Sequence, residues 1–178
     1  DPLVTVVTVT YQHAPYIRQC VEGVLSQRTT FPVEQLIGED GGNDGTREVC
    51  ELLTAEHPDR VRLFVRDRKD VLWILGKPTG RTNFVKLLGE ARGKYIALCE
   101  GDDYWSDPLK LQKQVDFLEQ NPEYSMCFHR ADLLKAGVLE PHPIPSDVEL
   151  DNVRVDDLLR TYNFITTASV VYRNVPRP

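Results

Sequence analysis

Five apolar or aromatic residues, Tyr95-Ile96-Ala97-Leu98-Cys99, run without alternation into three acids within four positions, Glu100-Gly101-Asp102-Asp103. A strand that reads as continuous apolar sequence is covered on both faces, as in a parallel sheet. Carboxylates at its carboxyl end then emerge at the sheet rim, where open α/β folds bind ligands. Adjacent Asp102 and Asp103 repel each other, and a divalent cation removes that penalty. Mg²⁺ or Mn²⁺ held by one or two carboxylates keeps coordination positions open for the oxygens of a diphosphate. The competing reading is a solvated acidic turn before a helix, because Ser106-Asp107-Pro108 is a helix start with Pro at the first helical position.

The remaining pattern supplies the sheet that this strand needs. Leu3 to Val9 is a β-branched run, Ile17, Val21, Val24 and Leu25 recur at helical spacing, and Gln35 to Gly38 is a short strand, which together make a βαβ unit. Thr46 to His57 reads as a helix with Val49, Leu52 and Leu53 inward, and Val61 to Val65 as a strand. Arg81 to Arg92 is a helix carrying Phe84, Leu87, Leu88 and Ala91; Leu111, Val115 and Leu118 mark the helix after the acids, and Tyr124 to His129 is a further strand. Strands alternating with helices predict an α/β fold, with a mostly parallel sheet, helices on both faces and right-handed crossovers. From Ala136 to Val155 the periodicity fails, and Pro141, Pro143 and Pro145 mark a long loop. Asp156 to Tyr162 reads as a short helix and Ala168 to Tyr172 as a late strand.

A net charge of -6 argues against a nucleic-acid surface but leaves room for an anion reached through a metal and a few local cations. No stretch approaches the roughly 20 apolar residues of a membrane span, and Asp1-Pro2-Leu3 opens no signal-type segment. The missing initiator Met is expected of a trimmed chain, from which targeting information would be lost. Cys20, Cys50, Cys99 and Cys127 form no CxxC pair and lie in apolar periodic segments, so they read as reduced core residues of a cytoplasmic protein.

Ligand groups in such a sheet come from the ends of several strands. The first ends in Thr10-Tyr11-Gln12-His13 and the second in Glu39-Asp40-Gly41-Gly42-Asn43-Asp44-Gly45-Thr46. A carboxylate there can accept a hydrogen bond from the imide N–H that uracil and thymine have and cytosine lacks, and Tyr11 is suited to stack on that base. The plainer alternatives are a rim aromatic for Tyr11 and, for Asp40 to Asp44, a glycine-rich turn with an Asx helix cap.

Taken in order, Val4 to Tyr11, Ile37 to Thr46, and Gly93 to Ile96 with Glu100 to Trp105 resemble the three signature blocks of family-2 inverting glycosyltransferases, over roughly Leu3 to His129. The resemblance implies a single GT-A domain over 1–178, Rossmann-like, of the nucleotide-diphospho-sugar transferase type. Its nucleotide-binding part would cover about 1–130 and its acceptor-side part about 131–178. It further implies transfer of a sugar with inversion from a nucleoside diphosphate donor, UDP or dTDP linked, to a hydroxyl of a carbohydrate or lipid-linked acceptor, as in polysaccharide synthesis. Mn²⁺ or Mg²⁺ would assist, and the location would be cytoplasmic, with room for peripheral contact with the inner face of the membrane. By position, Thr10 and Tyr11 would line the base pocket, Asp40 would contact the base, Asp102 the ribose or metal, Asp103 the metal, and Arg81 the base or diphosphate.

Val9, Gln12 and Gly42 stand where the family often has Pro, Asn and Ser, and none of these departures removes an ionisable group. The family's catalytic base is usually an acid of a Glu-Asp pair after a strand like Ala168 to Tyr172. No such pair follows the metal site before Pro178, so the base is expected beyond that residue. Asp147, Glu149, Asp151, Asp156 and Asp157 are the in-chain substitutes, and His129 and His142 are the histidines placed to approach the metal. Without a base the chain would be a nucleotide-sugar-binding module that does not transfer. A nucleotidyltransferase or dinucleotide dehydrogenase would need a glycine-rich phosphate loop after the first strand, and Thr10 to Ala14 contains no glycine.

Overall fold

The structure, a computed structural model, describes residues 1–146, 148–160 and 162–175. In chain order its elements are β1 Val4–Thr10, α1 Ile17–Leu25, β2 Val33–Glu39, α2 Thr46–Glu56, β3 Val61–Val65, β4 Leu72–Ile74, β5 Lys77–Thr79, α3 Arg81–Glu90, β6 Tyr95–Leu98, α4 Lys110–Gln120, β7 Met126–Cys127, β8 Asp132–Lys135, β9 Val138–Pro141, α5 Val155–Arg160 and β10 Val171–Arg173. Short 3₁₀ turns lie at Arg68–Asp70, Leu150–Asn152 and Thr167–Ser169. Six strands form the main sheet in the order β3-β2-β1-β6-β10-β7. β1 pairs in parallel with β2 and β6, β2 in parallel with β3, and β10 runs antiparallel to both β6 and β7.

The two faces separate by residue parity, as the pleat requires. Val4, Val6, Ile37, Tyr95 and Ala97 pack with Ile17, Cys20, Val21 and Val24 of α1, Cys50 and Leu53 of α2 and Leu111, Val115 and Leu118 of α4. Val7, Leu36 and Ile96 point the other way, onto Leu87, Phe84 and Leu88 of α3. Helices therefore cover both faces of a mainly parallel sheet, as the sequence pattern predicts. Two polar latches hold the layers. Buried Glu34 accepts from Thr5 Oγ1 at 2.8 Å and from Arg92 Nε at 3.1 Å. Arg173 of β10 donates to the carbonyls of Leu118 and Asn121, where the carboxyl end of α4 attracts a cation.

Several expectations change. The segment 136–155, read as a loop, begins within a hairpin: β8 and β9 are joined by Ala136 and Gly137, both left-handed at φ 49 and 82. A second hairpin, β4–β5, turns on Leu75 and Gly76 in the same way. Both ribbons stand largely in solvent, so neither shows the one-sided alternation by which a strand is recognised. The strand expected over Tyr124 to His129 is confined to Met126–Cys127. Ala168 lies in a 3₁₀ turn, and β10 is Val171–Arg173. Pro108 precedes α4 rather than opening it, and Asp107 Oδ1 accepts instead from Leu109 N at 2.9 Å.

Candidate active site

The chain moves outward from β1 to β2 and β3, then returns to lay β6 on the other side of β1. That reversal is the topological switch point, and the crevice beyond the carboxyl ends of β1 and β6 is where such sheets receive ligands. The ladder continues past the strands: Gly101 N donates to Val9 O at 3.0 Å and Asp40 N to Thr10 O at 3.0 Å. The acidic loop after β6, the Tyr11 loop after β1 and Asp40 after β2 are thereby held side by side.

Glu100, Asp102 and Asp103 each offer a carboxylate oxygen, all within 4.8 Å of one another. Burial, then the neighbouring Asp103 and Asp102, raises the Glu100 carboxyl above its ordinary pKa. Burial and Asp102 raise that of Asp103, and His13 opposes the shift. Three hard oxygen donors whose charges the protein leaves largely uncompensated suit Mg²⁺ or Mn²⁺. Gly101 lets the loop lie this low, since a Cβ there would sit 2.4 Å from Thr10 Oγ1 and 2.9 Å from His13 Nδ1. The histidine at the cluster is His13, with Nε2 3.8 Å from Asp102 Oδ2. His129 and His142 are not members of the acidic group; His129 Nδ1 faces Arg130 O at 2.6 Å.

Thr10 is wholly buried beneath Gly101, and its Oγ1 has no hydrogen-bond partner among the described residues. Asp40 is buried, and burial pushes its carboxyl pKa up while Arg68, 4.0 Å from Oδ2, opposes the shift. The same Arg68 guanidinium lies 3.9 Å from the centroid of the Tyr11 ring. An open cavity of about 430 Å³ adjoins this group, lined by Gly41, Arg47, Val65, Arg66, Asp67 and Arg68. The structure divides the roles within the acidic turn after β2. Asp44 accepts from Thr46 N at 3.1 Å, Thr46 Oγ1 at 2.6 Å and Ala14 N at 3.1 Å, which ties it to the first residue of α2 just ahead of the Gly45 cap. Buried Glu39 accepts from Gly42 N and Arg47 Nε, closing the turn around Asp40.

Arg81 is exposed at the first position of α3, whose cap Gly80 abuts Val9 near the end of β1. Asp157 Oδ2 accepts from Arg154 N at 2.9 Å and Oδ1 from Arg160 at 2.7 Å, and these bonds lower its pKa. Glu149, Asp151 and Asp156 are exposed, and Asp147 lies outside the described residues. Glu100 as a third ligand, His13 and Arg68 were not assigned from the sequence. For Glu100 the signal was its place in the acidic run; for Arg68 only a cation-rich stretch after β3.

Beneath the acidic loop, Trp105 Nε1 donates to Ala168 O at 2.8 Å and Gln114 Nε2 to Ser169 O at 2.9 Å. Buried Lys110 donates to Gln114 Oε1 at 2.8 Å with its Nζ 4.0 Å from the Trp105 ring centre, and burial pulls its pKa down to about 7. All four cysteines are free, and the chain folding brings Cys20 Sγ within 3.7 Å of Cys99 Sγ.

A mainly parallel sheet with a carboxylate cluster beside its switch-point crevice has the GT-A architecture. Residues 5–136 match the profile of Glycosyl transferase family 2, and the chain belongs to that family. It is 39% identical over 172 residues to an uncharacterised protein of Mycobacterium tuberculosis, covering 97% of this chain and 47% of that protein. It is 30% identical over 120 residues to the uncharacterised glycosyltransferase EpsJ of Bacillus subtilis, covering 67% of this chain and 31% of EpsJ. The chain thus spans about half the length or less of these curated relatives. Among solved structures it resembles residues 1–349 of Staphylococcus aureus TarS in complex with UDP, with a TM-score of 0.63, 18% identity and coverage of 96% of this chain and 46% of that one. It also resembles the mannosyltransferase PcManGT from Pyrobaculum calidifontis in complex with GDP-Man and Mn²⁺, with a TM-score of 0.58, 23% identity and coverage of 71% and 35%.

Proposed function

We propose that this chain carries the donor site of a metal-dependent inverting glycosyltransferase. It would take a UDP- or dTDP-linked sugar and pass it to a hydroxyl of a carbohydrate or lipid-linked acceptor. The observation that carries this reading is the placement of Glu100, Asp102 and Asp103 at the switch point, across β1 from Asp40. About 1–130 would form the nucleotide-binding part and about 131–178 the acceptor side.

In this reading Asp103, Asp102 and Glu100 hold the cation, Mn²⁺ or Mg²⁺, which when bound neutralises charge on the departing diphosphate. Asp40, kept in reach of Arg68, accepts the imide N–H of the base. Tyr11 supplies a stacking face once Arg68 swings aside, Thr10 supports the acidic loop from below, and Arg81 adds a positive charge at the end of β1. A carboxylate opposite the leaving group takes the proton of the acceptor hydroxyl, a step that contributes ~10²–10⁴-fold. Asp157 is held by Arg154 and Arg160, so Asp151 and Asp156 are the in-chain carboxylates to test for it.

Calorimetric titration of UDP, dTDP, CDP and GDP with Mn²⁺ tests the donor site. Binding of UDP or dTDP that disappears with EDTA is expected, with CDP weaker because an unpaired buried polar group costs ~1–3 kcal/mol. Asp40→Ala should level UDP and CDP. Equal affinity with and without metal would overturn the assignment, whereas metal-dependent binding without sugar transfer would make the chain a nucleotide-sugar-binding module.

A further inference from the structure

We propose that the β4–β5 hairpin is a finger that enters the interfacial region of a bilayer rich in anionic lipid; this does not rest on the sugar-transfer reading. Leu75 at its tip is 98% exposed, more than any other large apolar side chain among the described residues, and Trp73 beside it is 63% exposed. Leu72 is also exposed, whereas Val71 at the hairpin's base is buried and anchors it. Trp with its amphipathic ring and Leu with its branched apolar chain are residues that settle at a membrane interface.

The backbone at the tip supplies an independent argument. Leu75 and Gly76 form a two-residue loop with φ 49 and 74, the turn for which Asn-Gly is the favoured pair. A leucine there accepts left-handed strain and full hydration together, two costs that Asn avoids. Burial of that side chain in a bilayer offsets the second.

Charge identifies the partner. From Arg66 to Arg81 the sequence places five cations, Arg66, Arg68, Lys69, Lys77 and Arg81, against two acids, Asp67 and Asp70, in a chain of net charge -6. This excess of cations in the segments that flank the apolar tip, of which Arg68 and Lys69 also pair with Asp40 and Asp67, fits acidic headgroups around inserted side chains. The β8–β9 hairpin also exposes Leu134, Val138 and Leu139, but its strands carry two acids, Asp132 and Glu140, against Lys135, so the same complementarity is missing there.

Sedimentation of the full chain with phosphatidylglycerol or phosphatidylcholine vesicles tests this, alongside tryptophan fluorescence. The chain has two tryptophans, and Trp105 is buried at 6% exposure, so a blue shift on adding vesicles reports Trp73. Binding to phosphatidylglycerol, weakened by salt and with a blue shift lost in Trp73→Phe, is expected. Trp73→Ser combined with Leu75→Asn should weaken that binding by ~10-fold or more. Leu75→Asn alone should raise the melting temperature while reducing vesicle binding, opposite movements that a purely structural leucine would not give. No binding, equal binding to both lipids, or binding unchanged in the double variant would overturn the proposal. So would concentration-dependent dimers that the double variant abolishes, since the tip would then be an interface between copies.

Discussion

The Arg68 guanidinium carbon lies 3.9 Å from the centroid of the Tyr11 ring, covering the face on which a nucleobase would stack. The same side chain is the nearest cation to Asp40, at 4.0 Å. One residue thus covers the Tyr11 ring and opposes the rise that burial imposes on the Asp40 carboxyl. An ionised Asp40 is the stronger acceptor for an imide N–H, since protonation removes the charge and adds a competing donor. Because burial raises its pKa, uridine binding should fall as pH drops through that raised value. Arg68→Met removes the opposing charge and should move the fall to higher pH. Uridine titrated without metal reads this free of the diphosphate ligands, and an unshifted profile would count against the pairing.

The acidic cluster makes the opposite kind of statement about stability. Glu100 and Asp103 have raised folded-state pKa values, so when ionised they destabilise the fold above those values, and the cost is relieved as pH falls through them. Asp103→Asn should leave the metal-free melting temperature at neutral pH equal or higher and abolish the increment from Mn²⁺ with UDP. A turn-supporting role predicts instead a loss of ~0.5–2 kcal/mol with the increment intact.

Gly101 is required by crowding rather than by an unusual φ. A methyl there meets Thr10 Oγ1 and His13 Nδ1, so Gly101→Ala should cost ~1–3 kcal/mol and weaken metal-dependent nucleotide binding by displacing the loop. Gly89, in α3 with nothing among the described residues within 4 Å of its would-be Cβ, is the control. Gly89→Ala should stabilise by ~0.4–1 kcal/mol without touching binding. Thermal melts and calorimetry on both variants decide it.

Lys110 gives a pH signature away from the carboxylates. Its pKa falls from about 10.4 in an unfolded chain to about 7 here, so between these values the unfolded state binds more protons and stability rises with pH. Lys110→Met should raise stability at neutral pH, partly offset by stranding Gln114 Oε1, and should flatten that rise. The hydrogen bond with Cys20 and burial raise the Cys99 thiol, and burial raises those of Cys50 and Cys127; all three bias the slope the other way, and Lys110 acts on two of them, so the curves are compared between about pH 7 and 8, below the thiol range.

Most of the parallel sheet was legible in the sequence because its strands and helices bury whole faces, and burial writes a period into the chain. Val4 to Thr10, Val61 to Val65 and Tyr95 to Leu98 fall where the apolar runs place them, and Ile17 to Leu25 where the helical spacing does. The acids after β6 were equally legible, since a buried strand must deliver its polar end to the rim. Local pattern could not separate Asp40 from Asp44; the fold did, giving one to Arg68 and the other to the first turn of α2. The two free-standing hairpins escaped detection because a ribbon with both faces wet carries no period. Arg68 over Tyr11, His13 beside Asp102 and Cys20 beside Cys99 belong wholly to the tertiary structure. Each joins segments far apart in the chain, and their meeting is set by the order in which β3, β2, β1 and β6 are laid side by side, which no local propensity encodes.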